Sequence, residues 1–267
     1  MKFIRNAKKS LGQNFLIDNN IINKIVEIGN ITKNNSVMEI GSGYGNLTKA
    51  IFAMKPKKIL AIEKDKKLYC ILKEKFKKHG NIKIINRDAL NIIQKNNLEN
   101  NVIVFGNLPY NISTKVLSKW ITGVSENFWF NNLILMFQKE VADRIIAKKD
   151  TSHYGRLSII SNWKLNIEKI MNINPKSFFP KPKIDSSLLI FSPKKKFFKI
   201  KNYKNLEMIT RIFFNQRRKM IKKPFNQIFN NSQKIAENLN IDLKLRPQNL
   251  SPDTYYKITK EYENLGS

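Results

Sequence analysis

One cysteine in 267 residues, Cys70, leaves no internal disulfide to form and no thiolate cluster to hold a metal. Acidic residues are scarce as well: 20 Asp and Glu stand against 49 Lys and Arg, a formal net charge of +29. No run approaches the roughly 18 apolar residues that a membrane span needs. The basic opening MKFIRNAKKS is followed by no apolar stretch, so it does not read as a secretory signal. The two histidines, His79 and His153, read as peripheral. These absences point to a reducing, cytoplasmic setting, with Cys70 expected as a small core residue of a helix.

Apolar side chain is not lacking. At 42% hydrophobic, the chain has enough to build a core, which excludes global disorder. The length suits one large domain, or a domain of about 150–200 residues with a smaller one attached. So strong a positive charge on a folded chain points to a polyanion, either nucleic acid or an anionic membrane. AT-rich coding DNA inflates lysine, asparagine and isoleucine, but it does not explain the shortage of acids. Nucleic acid is therefore the expected partner.

Short apolar runs at 37–40, 58–63, 82–86, 102–105 and 133–137 are bounded by Gly, Asn or Asp and read as buried strands. Helical patterns lie between them, as at 47–54 and 66–78; the second puts Leu68, Ile71, Leu72 and Phe76 on one face. A helix led by Asp18 precedes the first strand. The alternation predicts an α/β fold with a parallel, doubly wound sheet. Around 172–187 the pattern gives way to a proline-rich loop, and a strand follows at 188–191. The lysine-rich stretch 193–205 reads as an exposed linker, and helical spacing alone follows at 206–215, 232–238 and 254–264. Two domains are expected: 1–194, α/β, and 195–267, all-helical.

The first strand runs into Glu39-Ile-Gly41-Ser-Gly43-Tyr-Gly45, with a helix after it. Such glycines let the backbone turn sharply and lie close to a ligand, at the place where open α/β sheets bind nucleotides. The spacing is G-x-G-x-G, neither the dinucleotide G-x-G-x-x-G nor a phosphate loop ending in Gly-Lys-Ser/Thr. It suits a nucleoside. Glu63 ends the second strand, where a carboxylate can accept from both ribose hydroxyls. Asp88 follows the third, where an acid can accept from an adenine amine. Either acid can instead serve the backbone, Glu63 by capping a helix and Asp88 by closing a turn. Taken in order, loop and two acids point to a cofactor carrying adenosine.

The fourth strand ends in Asn107-Leu108-Pro109-Tyr110, beside the glycine loop. This tetrapeptide after G-x-G-x-G resembles the methyltransferases that use S-adenosylmethionine to methylate an exocyclic base nitrogen. The resemblance implies a Rossmann-like methyltransferase sheet and a catalytic role for the motif. The Asn107 side-chain oxygen and the Leu108 carbonyl would accept the two N–H bonds of an adenine amine, and Tyr110 would stack on its ring. A methylated amine loses its proton readily, so no catalytic histidine is needed.

Further segments narrow the family. Lys8 to Leu16, Gln138 to Arg144, Tyr154 to Ser158 and Phe178 to Ser186 together resemble the ribosomal RNA adenine dimethylases, over nearly the whole chain. Phe214-Asn-Gln-Arg217-Arg218-Lys219 and Arg246 to Ser251 resemble its small-subunit branch. That likeness implies dimethylation at N6 of two adjacent adenosines near the 3′ end of 16S rRNA, in a pre-30S particle, by a monomer. It places Asn14 and Leu16 at the methionine end of S-adenosylmethionine, with Gly41 in its loop. Glu63 would hold the ribose, Asp88 the cofactor adenine, and Asn107 would lie between cofactor and amine. Phe178 would cover the target base opposite Tyr110, although Phe179 stands where the family often has a small or polar residue. Arg217, Arg218, Lys219, Lys222 and Lys223 would grip RNA phosphates. Rival readings are a resistance-type 23S rRNA methylase, a DNA adenine methylase, an RNA-binding assembly factor without chemistry and, more distantly, a nicotinamide-dependent dehydrogenase.

Overall fold

A computed structural model of the chain describes residues 7–8, 12–92, 102–123 and 128–266. Its centre is a seven-stranded sheet whose strands are β2 (Ser36–Ile40), β3 (Lys58–Glu63), β4 (Ile82–Asn86), β5 (Val102–Gly106), β6 (Phe130–Gln138), β7 (Leu165–Ile173) and β9 (Ser186–Pro193). They lie in the order β4-β3-β2-β5-β6-β9-β7. The pairs β3–β4, β2–β3, β2–β5 and β5–β6 are parallel, and β6–β9 is antiparallel. Every residue of β2 and β5 is buried, which explains their unbroken apolar runs.

Register positions the site. Ile40 pairs with Ile62 on one side and with Gly106 on the other. The loops after β2, β3 and β5 therefore leave the sheet along one edge. β2 leads to β3 on one flank while β5 pairs on its other flank, so the chain order switches beside β2. Open α/β sheets place their ligand crevice at such a switch. Three helices carry the connections, α2 (Asn46–Ala53), α3 (Lys66–Phe76) and α4 (Tyr110–Thr122), and α5 (Lys139–Ile146) follows β6. Ahead of them, α1 (Asn19–Ile28) starts at Asp18, whose carboxylate accepts from the backbone N–H of Asn20 and Ile21 at 3.0 and 3.3 Å. Ile22, Ile25 and Val26 of α1 join Val37, Ile59, Phe105 and Ile134 of the sheet in one apolar core.

A two-stranded ladder adds a tether. β1 (Phe15–Leu16) pairs antiparallel with β8 (Phe178–Phe179), Phe15 opposite Phe179 and Leu16 opposite Phe178. It ties the segment ahead of α1 to the proline-rich loop more than 150 positions later in the chain.

The chain divides into two compact units, 1–142 with 167–193, and 143–166 with 194–267. One division falls between 193 and 194, and the helical unit also takes in 143–166. Its buried tyrosines give the reason. Tyr154 donates its hydroxyl proton to the Leu250 carbonyl (2.9 Å), and Tyr256 donates to that of Ile159 (2.7 Å). This unit holds α6 (Arg156–Lys164), α7 (Tyr203–Phe214), α8 (Lys222–Ile228), α9 (Ser232–Asn238) and α10 (Pro252–Leu265). Buried Glu263 accepts from the backbone N–H of Lys201 and Asn202, both at 2.8 Å, just ahead of α7.

One expectation is corrected. Cys70 is exposed on α3, because Leu68, Leu72 and Phe76 supply its buried face. Residues 165–173 form a strand that the sequence reading did not single out. None of the helices among the described residues is long and apolar enough to cross a membrane.

Candidate active site

A cleft of about 180 Å3 opens at the switch point. The segment Gly12 to Phe15 closes one side, and the ends of β2, β3 and β5 form its floor. Gly41, Gly43, Glu63, Asp88, Asn107 and Leu108 all line it. Of these, Gly41, Glu63, Asp88, Asn107 and Leu108 are the ones expected from sequence at a cofactor or at the target amine, and the fold brings them to one place.

Gly41 shows how closely the loops approach. Its φ is +74°, and a Cβ there would stand 3.2 Å from the Asn107 carbonyl oxygen. Any side chain would push the turn after β2 away from the turn after β5. Gly43, also at positive φ, has the Phe15 ring 2.8 Å from where a Cβ would be. Its N–H donates to Glu63 Oε2 at 2.8 Å.

Glu63 is buried, and its second oxygen accepts from the Asp65 N–H at 2.9 Å. Capping of α3 falls to Asp65, which accepts from Lys67 and Leu68, so Glu63 is not the helix cap. Burial raises the Glu63 pKa above the ordinary carboxylate value, against the two backbone donors. A carboxylate offers about four lone-pair positions, so two N–H bonds leave capacity for a diol.

Asp88 serves the backbone as well as lining the cleft. One oxygen accepts from Leu90 N–H at 2.9 Å, capping the turn Ala89–Asn91, and the other pairs with Lys64 Nζ at 2.7 Å. That hydrogen-bonded lysine, more than any other group, lowers its pKa.

Asn107 is the pivot. Its Nδ2 donates to the Asn14 carbonyl at 2.9 Å, across 93 positions of sequence. Because Nδ2 faces an acceptor, the amide orientation is fixed and Oδ1 is left as the accepting end. The side chain of Tyr110 lies outside the described residues.

Asn107, Gly41 and Gly43 also line a smaller cavity with Leu16, Tyr44 and Glu39. Leu16 belongs here rather than in the main cleft, and its carbonyl accepts from Asn46 Nδ2 at 2.9 Å. Phe15 borders both spaces, with its ring 4.7 Å from that of Tyr44.

Phe178 is a correction. Its side chain is 3% exposed and sits in the apolar core with Leu16, Ile173 and Leu188, so it has no face to offer a base. Successive strand residues point to opposite faces, and the exposed aromatic of the pair is Phe179, at 40%.

Glu39 was missed, although it begins the glycine motif. It is buried at the end of a strand covered on both faces, and Thr48 Oγ1 donates to its Oε2. Burial pushes its pKa up to about 7, while the Thr48 hydrogen bond opposes that shift. An acid in an otherwise apolar strand run was the available signal. The folded chain thus keeps a proton that the unfolded chain releases above the ordinary value of 4.5. Stability from this group is present at low pH and is lost as pH rises through about 7. Glu39→Gln has no such proton to lose. Urea unfolding at pH 5 and pH 8 is expected to show the wild type losing up to about 3 kcal/mol more than the variant across that range. Glu63, shifted in the same direction, leaves a smaller decline in both. Equal declines would mean Glu39 is ionised throughout.

Of the five cations expected at RNA, Arg218, Lys219, Lys222 and Lys223 are exposed around the start of α8. Arg217 is half-buried, and its Nη2 donates to the Thr151 carbonyl at 3.0 Å. Among the described residues no cluster of His, Cys, Asp and Glu could hold a metal ion.

Comparison with known proteins finds relatives over nearly the whole chain. The family model for ribosomal RNA adenine dimethylases matches residues 4–264. A ribosomal RNA small subunit methyltransferase A of Pelagibacter ubique is 61% identical over 259 residues, covering 97% of this chain and 98% of the relative. One of the same name from a Wolbachia of Drosophila simulans is 40% identical over 267 residues, covering 99% and 96%. A dimethyladenosine transferase from Plasmodium falciparum superposes with a TM-score of 0.82 at 27% identity, covering 94% of this chain and 98% of that one. The 23S rRNA methyltransferase ErmE shares the fold, with a TM-score of 0.68 at 20% identity and coverage of 93% and 99%.

Proposed function

Because the chain belongs to the ribosomal RNA adenine dimethylase family, we propose that its cleft binds S-adenosylmethionine and that Asn107 presents an adenine amine to it. The chain is a methyltransferase acting on ribosomal RNA. The finer reading is dimethylation at N6 of two adjacent adenosines near the 3′ end of 16S rRNA, in a pre-30S particle, by a cytoplasmic monomer. The observation that carries the site is the Asn107–Asn14 hydrogen bond, which fixes an acceptor beside the glycine loop and Glu63.

The residues fit the cofactor. Glu63, held by Gly43 and Asp65, has lone pairs for a ribose diol, and the glycine cradle admits a ligand where a side chain would collide. Asp88, Ala89 and Ile112 line the same cleft and suit an adenine. When bound, S-adenosylmethionine supplies an electrophilic methyl group.

The chain's own work is positioning. An adenine N6 lone pair is delocalised into the ring and attacks poorly unless it is aimed. Asn107 Oδ1 and the Leu108 carbonyl accept its two N–H bonds and turn the lone pair toward the cleft. Pro109 has no N–H to compete for those acceptors. Leu108 is buried, which anchors the loop that carries both acceptors. The methylated amine is acidic and sheds its proton without a strong base. Phe179, exposed and paired opposite Phe15 of the cleft wall, is the aromatic of the pair left to stack on the base.

Methyl transfer from labelled cofactor, followed by nucleoside analysis, tests the reading on undermethylated 30S particles, naked 16S rRNA, 23S rRNA and DNA. Dimethyladenosine confined to the 30S particle is the expected result. Label in 23S rRNA or DNA instead would overturn the small-subunit assignment.

Docking on RNA is the proposed role of residues 195–267. With Arg218, Lys219, Lys222 and Lys223 on phosphates, affinity falls steeply with salt. Changing all four to alanine is expected to reduce the slope of log K against log salt by roughly 3, at about 0.7 per phosphate contact. An unchanged slope in filter binding would place the phosphate contacts elsewhere.

A further inference from the structure

The helical unit carries a cleft that methyl transfer does not use. It is open, about 410 Å3 in volume, and has an aromatic wall of Trp163, Phe197, Phe198 and Tyr256. Lys194, Lys196 and Asp253 complete its lining. The stretch expected as an exposed linker is pinned in place here. Lys194 donates through its backbone N–H to the Lys164 carbonyl at 2.9 Å and through Nζ to the Asn162 carbonyl at 2.5 Å. Trp163 Nε1 donates to the Phe198 carbonyl at 2.8 Å, and the Phe198 and Tyr256 rings lie 5.7 Å apart. Trp163 and Tyr256 are buried, whereas Phe197 and Phe198 are half-exposed.

We propose that this cleft holds one unstacked nucleotide of single-stranded RNA. The base packs on Phe197 and Phe198, the phosphate meets Lys194 and Lys196, and an exocyclic amine of the base donates to Asp253. This deepens the ribosomal RNA reading and rests on it for the class of partner. Single-stranded RNA is read by such means, with rings for the base face and polar groups for its edge. Rings alone accept every base, at about 1–3 kcal/mol each. Asp253 adds a choice. A carboxylate accepts from the amine of cytosine, adenine or guanine, but it faces a carbonyl oxygen on uracil. An acidic peptide or an anionic lipid brings no planar face to stack on these rings. Burial lowers the Lys194 pKa, and the charge of the neighbouring Asp253 partly counters this.

The experiment follows tryptophan fluorescence of the full chain during titration with the hexanucleotides C6 and U6. C6 is expected to quench saturably and to bind roughly tenfold tighter than U6. Trp163→Phe removes the change, which separates it from any signal of Trp120 and Trp129. Phe198→Leu keeps the apolar volume but not the ring, and is expected to weaken C6 about tenfold. Asp253→Asn brings C6 and U6 toward equal affinity, which a purely structural role for Asp253 would not do. Equal binding of C6 and U6 by the wild type, or no effect of Phe198→Leu, overturns the proposal. So does binding of phosphatidylglycerol vesicles that Phe198→Leu abolishes. The readout needs no catalysis. If C6 does not quench while 30S particles are methylated, the cleft proposal falls and the function stands. If C6 quenches but no ribosomal RNA is methylated, the function falls and the cleft remains an RNA site.

Discussion

Asn107→Ala is expected to lower the rate of methyl transfer to undermethylated 30S particles by roughly 100- to 1,000-fold. The figure is that for losing one preorganised polar contact at a reacting centre. The loss should fall on kcat. Without Oδ1, the amine keeps at most one acceptor, the Leu108 carbonyl, and can rotate its lone pair away from the approach line. Cofactor affinity should change far less, because the glycine loop and Glu63 remain. Stability should fall by about 1 kcal/mol, the net worth of one ordinary hydrogen bond to the Asn14 carbonyl. Asn107→Asp is the sharper control. It keeps an oxygen acceptor but brings a carboxylate to the Asn14 carbonyl where an N–H had been. It should be as impaired as alanine, which separates the held geometry from the mere presence of an acceptor. An alanine variant that retained more than half the wild-type rate would remove Asn107 from the chemistry.

Much of the site was legible because it sits where strands end. Buried strands leave unbroken apolar runs, so β2, β3 and β5 could be bounded within a residue or two, and the residues just past them are the ones that meet at the switch point. Glu63 and Asn107 stood out as polar residues closing such runs. Less legible was whatever depends on contacts distant in sequence. The Asn14 carbonyl holds Asn107 across 93 positions, and no pattern in either segment announces it. Strand β7 is only partly covered and mixes Asn, Glu and Lys with its apolar residues, so it lacks the signature of a buried run. The Phe178-Phe179 pair could not be sorted by sequence, because a two-residue strand gives no alternation from which to tell the core face. Residues 143–166 follow a strand of the sheet, and their place in the helical unit comes from tyrosine bonds to carbonyls about 96 positions away. Cys70 shows the limit of composition as a guide, since three larger side chains had already filled the buried face of its helix.

The second large effect belongs to Glu63, and it should depend on what replaces it. Glu63→Ala removes two acceptors at once, from the Gly43 and Asp65 N–H groups. Each buried donor left without a partner costs about 1–3 kcal/mol, more than the bond itself was worth. Gly43 is at positive φ and close to Phe15, so releasing its N–H loosens the cradle as well as the ribose contact. Cofactor affinity by calorimetry should therefore drop by more than 100-fold, with a lower melting temperature. Glu63→Gln keeps one carbonyl oxygen but exchanges the other for an NH2 that must face a backbone N–H. The expected loss is about tenfold, in line with the 1.5–3 kcal/mol of a hydrogen bond to a charged group offset by the charge no longer buried. The pH response separates the two roles. Burial raises the Glu63 pKa, so the carboxylate that a diol needs forms only above the ordinary carboxylate range. Wild-type affinity should rise as pH climbs through that raised value and then level off, whereas Glu63→Gln should show no such rise. A wild type without that rise would mean that the buried carboxylate does not meet the ribose, and the cleft would then hold its ligand by the glycine loop and Asp88 alone.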